Sequence, residues 1–228
     1  MTRDRLIIAL DVGTRAEAIS LALELTPFAA WMKIGLQLFT AEGPDLLRAL
    51  RETGAKIFID LKLHDIPNTV AHAVESAARL EVEMLTLHLC GGSEMVRAAV
   101  SVAPPSLLLL GVTVLTSAND ETLRAIGVAS NVNAQVSRLA RLGFDNGVRG
   151  FVASAHEAAA IRELGGEESK IVVPGIRQAG AEAHDQKRTM TPTKAIAAGA
   201  DFLVLGRAIT AAPDPAAAAR QVLEEIGN

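Results

Sequence analysis

Eight short apolar runs recur along this chain, separated by Ala- and Leu-rich segments with helical spacing. That alternation limits the fold more than any other feature. The runs read as strands at Leu6–Val12, Trp31–Leu38, Lys56–Leu63, Met84–Leu89, Leu107–Leu115, Gly150–Ser154, Lys170–Ile176 and Phe202–Gly206. The intervening segments read as helices at Arg15–Leu25, Pro44–Glu52, Pro67–Leu80, Ser93–Val102, Ala134–Leu142, His156–Leu164 and Pro192–Ala198, with Asp214–Ile226 after the last strand. Gly54 and Gly199 each stand where a helix hands over to a strand, as a C′ glycine does. Asp214-Pro215 reads as an N-cap followed by proline at the first helical position. Strands that are apolar throughout are buried on both faces, which is the mark of a parallel sheet covered by helices. Eight such units close naturally into a single-domain α/β fold, a (β/α)8 TIM barrel. An open doubly wound sheet usually has fewer strands. The 228 residues fit one barrel, and neither a linker nor a composition shift divides them.

Composition narrows the function. Net charge is −4, which argues against a general polyanion binder, so phosphate recognition must be local. Aromatic residues make up 3% of the chain and tyrosine is absent, leaving no stacking platform for single-stranded nucleic acid. Cys90 is the one cysteine; it reads as a small buried hydrophobe and excludes an intramolecular disulfide. The segment Met1-Thr2-Arg3-Asp4-Arg5 is too charged to start a signal peptide, and no stretch has the length and purity of a membrane span. The expectation is a soluble cytoplasmic protein with no nucleic-acid or membrane partner.

In a parallel barrel the active site lies at the C-terminal ends of the strands. Polar groups fall there on nearly every strand: Asp11 on the first, Lys33 on the second, Asp60 and Lys62 on the third, His88 on the fourth, Thr116-Ser117 after the fifth, Arg177 after the seventh and Gly206-Arg207 on the eighth. Asp60 and Lys62 share a face by strand alternation, and Asp65 lies just beyond the strand end. Burying such groups costs several kcal/mol each unless they are paired, so Lys33, Asp60, Lys62 and Asp65 read as one alternating charge network. His64 faces away from Lys62 and reads as structural. His88 reads equally as a core histidine or a functional one. Gly206-Arg207 ahead of a short helix fits a phosphate grip, with Arg177 and Gln186 of the polar segment Gln178–Met190 as partners. A metal site is disfavoured, because lysines between the carboxylates repel a divalent cation.

The run Asp60-Leu61-Lys62-Leu63-His64-Asp65-Ile66-Pro67-Asn68-Thr69 closely resembles the signature of the bacterial-type orotidine 5′-monophosphate decarboxylases. Ala9-Leu10-Asp11, Lys33-Ile34-Gly35, Val114-Leu115-Thr116-Ser117, Pro174-Gly175-Ile176-Arg177, Asp185-Gln186-Lys187-Arg188 and Leu205-Gly206-Arg207 match in order, so the resemblance spans nearly the whole chain. Two positions depart from the pattern: His184 stands where glycine is usual before Asp185-Gln186, and Ala208 where proline is usual after Arg207.

The resemblance implies decarboxylation of orotidine 5′-monophosphate to UMP and CO2, the last step of de novo UMP synthesis, without cofactor or metal. Lys62 would donate the proton to C6, Asp60 would face the substrate carboxylate, and Lys33 and Asp65 would complete the network. Asp11 and Lys33 would contact the ribose and Thr116 the pyrimidine. Arg177, Gln186, Gly206 and Arg207 would hold the phosphate. The family pattern also implies a homodimer in which Asp65, Ile66 and Thr69 serve the partner's site. The alternative is a related sugar-phosphate decarboxylase of the same barrel superfamily. The Asp-x-Lys-x-x-Asp core is common to both, and the Pro-Asn-Thr extension and the Asp-Gln-Lys-Arg run favour the first.

Overall fold

A computed structural model describes residues 2–176 and 190–227. Eight parallel strands, β1 (Leu6–Ala9), β2 (Trp31–Gly35), β3 (Lys56–Leu63), β4 (Met84–His88), β5 (Leu108–Val112), β6 (Gly150–Val152), β7 (Lys170–Val173) and β8 (Phe202–Leu205), pair in sequence order. The pairing of β1 with β8 closes the barrel, as the strand–helix alternation required. The helices are α1 (Arg15–Leu25), α2 (Leu36–Glu42), α3 (Asp45–Glu52), α4 (Pro67–Arg79), α5 (Gly92–Val102), α6 (Asp120–Ala125), α7 (Val132–Asp145), α8 (Ala155–Gly165), α9 (Pro192–Ala197), α10 (Arg207–Thr210) and α11 (Pro215–Gly227).

Two apolar layers hold this arrangement together. The barrel interior is filled by Ile7, Trp31, Phe58, Met84, Leu110, Val172 and Val204, with Val152 of β6 packed against them. The larger layer lies between strands and helices and contains residues such as Leu10, Ile34, Ile57, Leu85 and Leu203. Alternate strand residues supply the two layers, which is why the strands are largely apolar below the rim. At the N-terminal end of the barrel, Trp31 packs edge-to-face on Phe202, with centroids 5.7 Å apart, and its indole donates to the Asp4 carbonyl.

Helix signals act where the sequence placed them. The Asp214 carboxylate accepts from the Ala217 N–H at 2.8 Å, capping α11. Gly54 and Gly199 have φ of +85° and +104°, the left-handed geometry that ends α3 and α9. Several boundaries differ from expectation: β1 stops at Ala9 rather than Val12, β6 at Val152 rather than Ser154 and β7 at Val173 rather than Ile176. The second strand stops at Gly35, and the apolar residues beyond it form α2, with Leu38 turned into the core. The fifth stops at Val112, freeing Val114–Ser117 to line a cavity. Short apolar runs do not distinguish strand from helix by pattern alone. α6 was not anticipated. It is nucleated by a capping box between Asn119 and Thr122.

Candidate active site

The C-terminal rim of the barrel opens into a cavity of about 430 Å³. Its lining comes from seven strands or the segments that follow them, and Phe58 lies among the apolar residues beneath the charged groups. Asp11, Lys33, Asp60, Lys62, Thr116, Gly206 and Arg207, all expected at the site, line this one space.

The register explains how the charges meet. Ala9, Lys33 and Phe58 are neighbours across β1, β2 and β3, so they form one inward-facing row. Gly35 and Asp60 are neighbours in the next row toward the rim. Gly35 brings no side chain into that row, and the Lys33 ammonium rises into the space. A Cβ at Gly35 would lie 3.3 Å from Lys33 Nζ and 3.5 Å from an Asp11 carboxylate oxygen. Lys33 Nζ therefore reaches Asp11 Oδ1 at 3.4 Å and Asp60 Oδ2 at 3.5 Å, while Lys62 Nζ donates to Asp60 Oδ1 at 2.7 Å. Within one chain the network runs Asp11, Lys33, Asp60, Lys62, so acids and bases alternate. Each buried charge has an opposite charge in contact, which offsets its loss of water.

Asp65 is not in that network. It is exposed at the start of α4, its carboxylate accepts from the adjacent Ile66 N–H at 2.7 Å, and it makes no ion pair among the described residues. Sequence spacing had grouped it with Asp60 and Lys62. The chain turns away after β3, and the acid at the other end of the network is Asp11, which follows β1 and reaches Lys33. Ile66 and Thr69 are also exposed on this rim. Arg177, Gln186 and His184 lie outside the described residues. Gly206 and Arg207 stand at the N-terminus of α10, and Ala208 is its second residue. Gly175, on the cavity wall after β7, has φ of +76°, a backbone geometry that favours glycine.

Electrostatics follow from this packing. Burial pushes the Asp60 carboxyl up, but the ammoniums of Lys33 and Lys62 and hydrogen bonds from Lys62 and Thr86 outweigh it and hold the group below its usual value of 3.8. Asp60 is thus a carboxylate throughout the neutral range. His88 is pushed below the usual histidine value, first by burial and then by its neighbours His64 and Lys62, with Asp60 opposing. It is neutral at neutral pH and packs 5.8 Å from the His64 ring. Cys90 is exposed rather than buried, on a short turn after β4, and partial burial still pushes its thiol up. It is not an activated nucleophile.

The Asp60 shift gives a pH prediction. A carboxylate whose folded pKa is depressed contributes stability that is fully present above the unfolded value and is lost as pH falls through the folded value. The stability difference between wild type and Asp60→Asn should therefore be level above about pH 5 and shrink below about pH 4. Chemical denaturation at a series of pH values reads it, and a difference independent of pH would refute the assigned shift.

Sequence reasoning missed Thr86. Its hydroxyl accepts from the Lys62 backbone N–H at 2.8 Å and donates to Asp60 Oδ1 at 3.0 Å. A threonine inside Met84-Leu85-Thr86-Leu87 reads as an ordinary β-branched strand residue. The one available signal was a hydroxyl at an inward position beside the charged end of β3.

The chain is similar to known proteins over nearly its full length. Residues 4–222 match the model of the orotidine 5′-phosphate decarboxylase / HUMPS family. A protein of Opitutus terrae named orotidine 5′-phosphate decarboxylase is 50% identical over 224 residues, covering 97% of each chain. One of Moorella thermoacetica with the same name is 46% identical, covering 98% of this chain and 92% of the relative. The crystal structure of orotidine 5′-phosphate decarboxylase from Lactobacillus acidophilus superposes with a TM-score of 0.87 at 33% identity, covering 99% of this chain and all of that one. The barrel, the four alternating charges at its rim and these likenesses over nearly the full length lead to one conclusion: this chain belongs to the orotidine 5′-phosphate decarboxylase family.

Proposed function

We propose that the rim site decarboxylates orotidine 5′-monophosphate to UMP and CO2, with Lys62 as the proton donor. The contact of Lys62 Nζ with Asp60 at 2.7 Å, above an apolar floor, carries the reading. Breaking the bond from C6 to the carboxylate leaves the electron pair on C6, on a ring with no obvious electron sink there. An ammonium fixed beside that carbon stabilises the developing carbanion and then protonates it. Such preorganised charge is worth most where water is excluded. Asp60 holds Lys62 and faces the departing carboxylate. Lys33 keeps Asp60 ionised and, with Asp11, contacts the ribose. Thr116 lines the cavity wall where the pyrimidine would lie. Lys62 regains its proton from solvent after CO2 leaves.

Binding at a distance can contribute to the chemistry. The phosphate is remote from C6, so its contacts can contribute to orientation and desolvation at the reacting carbon. Arg177, Gln186, Gly206 and Arg207 are the groups assigned to it. Arg207→Ala and Gln186→Ala should each lower kcat/KM by about 2–3 kcal/mol, roughly 30- to 150-fold. The check is orotidine without its phosphate. Wild type and variants should process that nucleoside equally poorly, and a variant deficit that persists on it would count against the phosphate role.

The functional unit is a homodimer in the cytoplasm, and its second copy supplies Asp65, Ile66 and Thr69 to the neighbouring site. Two observations support this. Ile66 is 66% exposed at the rim, and the Asp65 carboxylate beside it has no cationic partner among the described residues. Among those residues no helix is long and apolar enough to cross a membrane.

A sugar-phosphate decarboxylase sharing the Asp-x-Lys-x-x-Asp core would be expected to bind magnesium. Here the ammoniums of Lys33 and Lys62 take up the space beside Asp60 that a cation would need. Incubation with orotidine 5′-monophosphate in EDTA separates the readings. Full activity supports the cofactor-free reaction. Loss of activity that magnesium restores would overturn it.

A further inference from the structure

We propose that Thr86 is a positioning residue for the decarboxylation, its hydroxyl holding the Asp60 carboxylate and the Lys62 backbone in their reactive arrangement. The inference rests on the roles of Asp60 and Lys62 given above.

The pairing of β3 with β4 is irregular at one place. Ile59 pairs with Leu85 and Leu63 pairs with Leu87, so Asp60, Leu61 and Lys62 together lie opposite Thr86 alone. The chain accommodates the extra residues by placing Lys62 at φ of +51°, in the left-handed region. A residue with a side chain rarely adopts that geometry, and it persists only where its surroundings enforce it. The bulge also withdraws the Lys62 N–H from the regular strand ladder, and Thr86 receives it at 2.8 Å.

The directions of both hydrogen bonds are fixed by chemistry. A backbone N–H can only donate, so the Thr86 oxygen accepts from it. An ionised carboxylate can only accept, so the single Thr86 proton goes to Asp60 Oδ1 at 3.0 Å. That same oxygen receives Lys62 Nζ. One hydroxyl thus ties the backbone of the proton donor to the carboxylate that aims its ammonium. Thr86 is completely buried, so water cannot replace the hydroxyl without rearrangement. Thr86 does not line the cavity and acts through its two neighbours.

Thr86→Val keeps the shape and removes the hydroxyl; Thr86→Ser keeps the hydroxyl. With thermal midpoints measured for each, Thr86→Val should lower kcat by roughly 100-fold, as misplacing a catalytic group does. KM for orotidine 5′-monophosphate should change little, because the phosphate contacts are untouched. Thr86→Ser should recover most of the loss. The acidic limb of the kcat–pH profile should move to higher pH in Thr86→Val, since Asp60 loses a donor. If Thr86→Val does not fold, Thr86→Cys takes its place, with a small side chain and a weaker hydrogen bond, and its kcat should fall between that of serine and the loss expected of valine. The proposal is overturned if the folded valine or cysteine variant retains wild-type kcat. It is equally overturned if the loss lies in KM alone, or if serine is impaired as much as valine. A Lys62→Ala control separates the two levels. Retained turnover there defeats the proposed chemistry. Lost turnover there with an active Thr86→Val defeats only the role of Thr86.

Discussion

Lys62→Ala should remove nearly all turnover and leave the barrel folded. Two effects fall together in this variant. On the proposed mechanism the cavity loses the ammonium that stabilises negative charge at C6 and the proton that quenches that charge. Each is worth roughly 100-fold or more, so kcat should fall on the order of 10⁴-fold. The fold tolerates the change because the Lys62 side chain is partly exposed and Asp60 keeps Lys33 at 3.5 Å as a counter-charge. Thermal unfolding and circular dichroism should match wild type. The same substitution should weaken a UMP-like ligand far less than it slows the reaction, because its contacts are to ribose and phosphate. A folded Lys62→Ala protein with near-normal kcat would remove Lys62 from the chemistry.

Subunit mixing has the second-largest expected effect. Lys62→Ala and Asp65→Ala homodimers should both be nearly inactive. On the proposed arrangement, in which Asp65 serves the partner's site, a mixed dimer places both lesions in one site and leaves the other site intact. Random exchange of equal amounts gives about half mixed dimers, each with one working site, so about a quarter of wild-type activity should return, as expected for symmetric two-fold association. The position of Asp65 motivates this test. It lies on the rim with its carboxylate turned to the neighbouring Ile66 N–H, while Asp60, Lys33 and Lys62 are already mutually paired. No recovery, with exchange demonstrated by native mass spectrometry, would confine Asp65 to its own subunit.

Much of the architecture was legible in the chain because burial writes the same pattern on every strand. Leu6–Ala9 and the residues 171–173 are apolar because helices cover one side of the sheet and the barrel interior the other. The rim chemistry was legible for a related reason. Asp11, Lys33, Asp60 and Lys62 interrupt apolar runs at strand ends, where an unpaired charge would be costly. What sequence spacing could not convey was how strands lie beside one another. Asp65 is close to Lys62 in sequence but turns away, whereas Asp11 is distant in sequence but reaches Lys33 across β1 and β2. Thr86 escaped notice for the same reason. Its importance comes from the three β3 residues opposite it, and pairing irregularities leave no periodic signature. The end of β2 was misjudged because the apolar run continues from strand into helix without a break at Gly35.

The most direct test of the central claim is the fate of orotidine 5′-monophosphate with the purified wild-type chain in deuterated buffer containing EDTA. Ultraviolet absorbance follows substrate loss and mass spectrometry identifies the product. The account predicts complete conversion to UMP and CO2 in equal amounts, with one deuterium at C6. Unchanged substrate, or turnover that requires added metal, would contradict it.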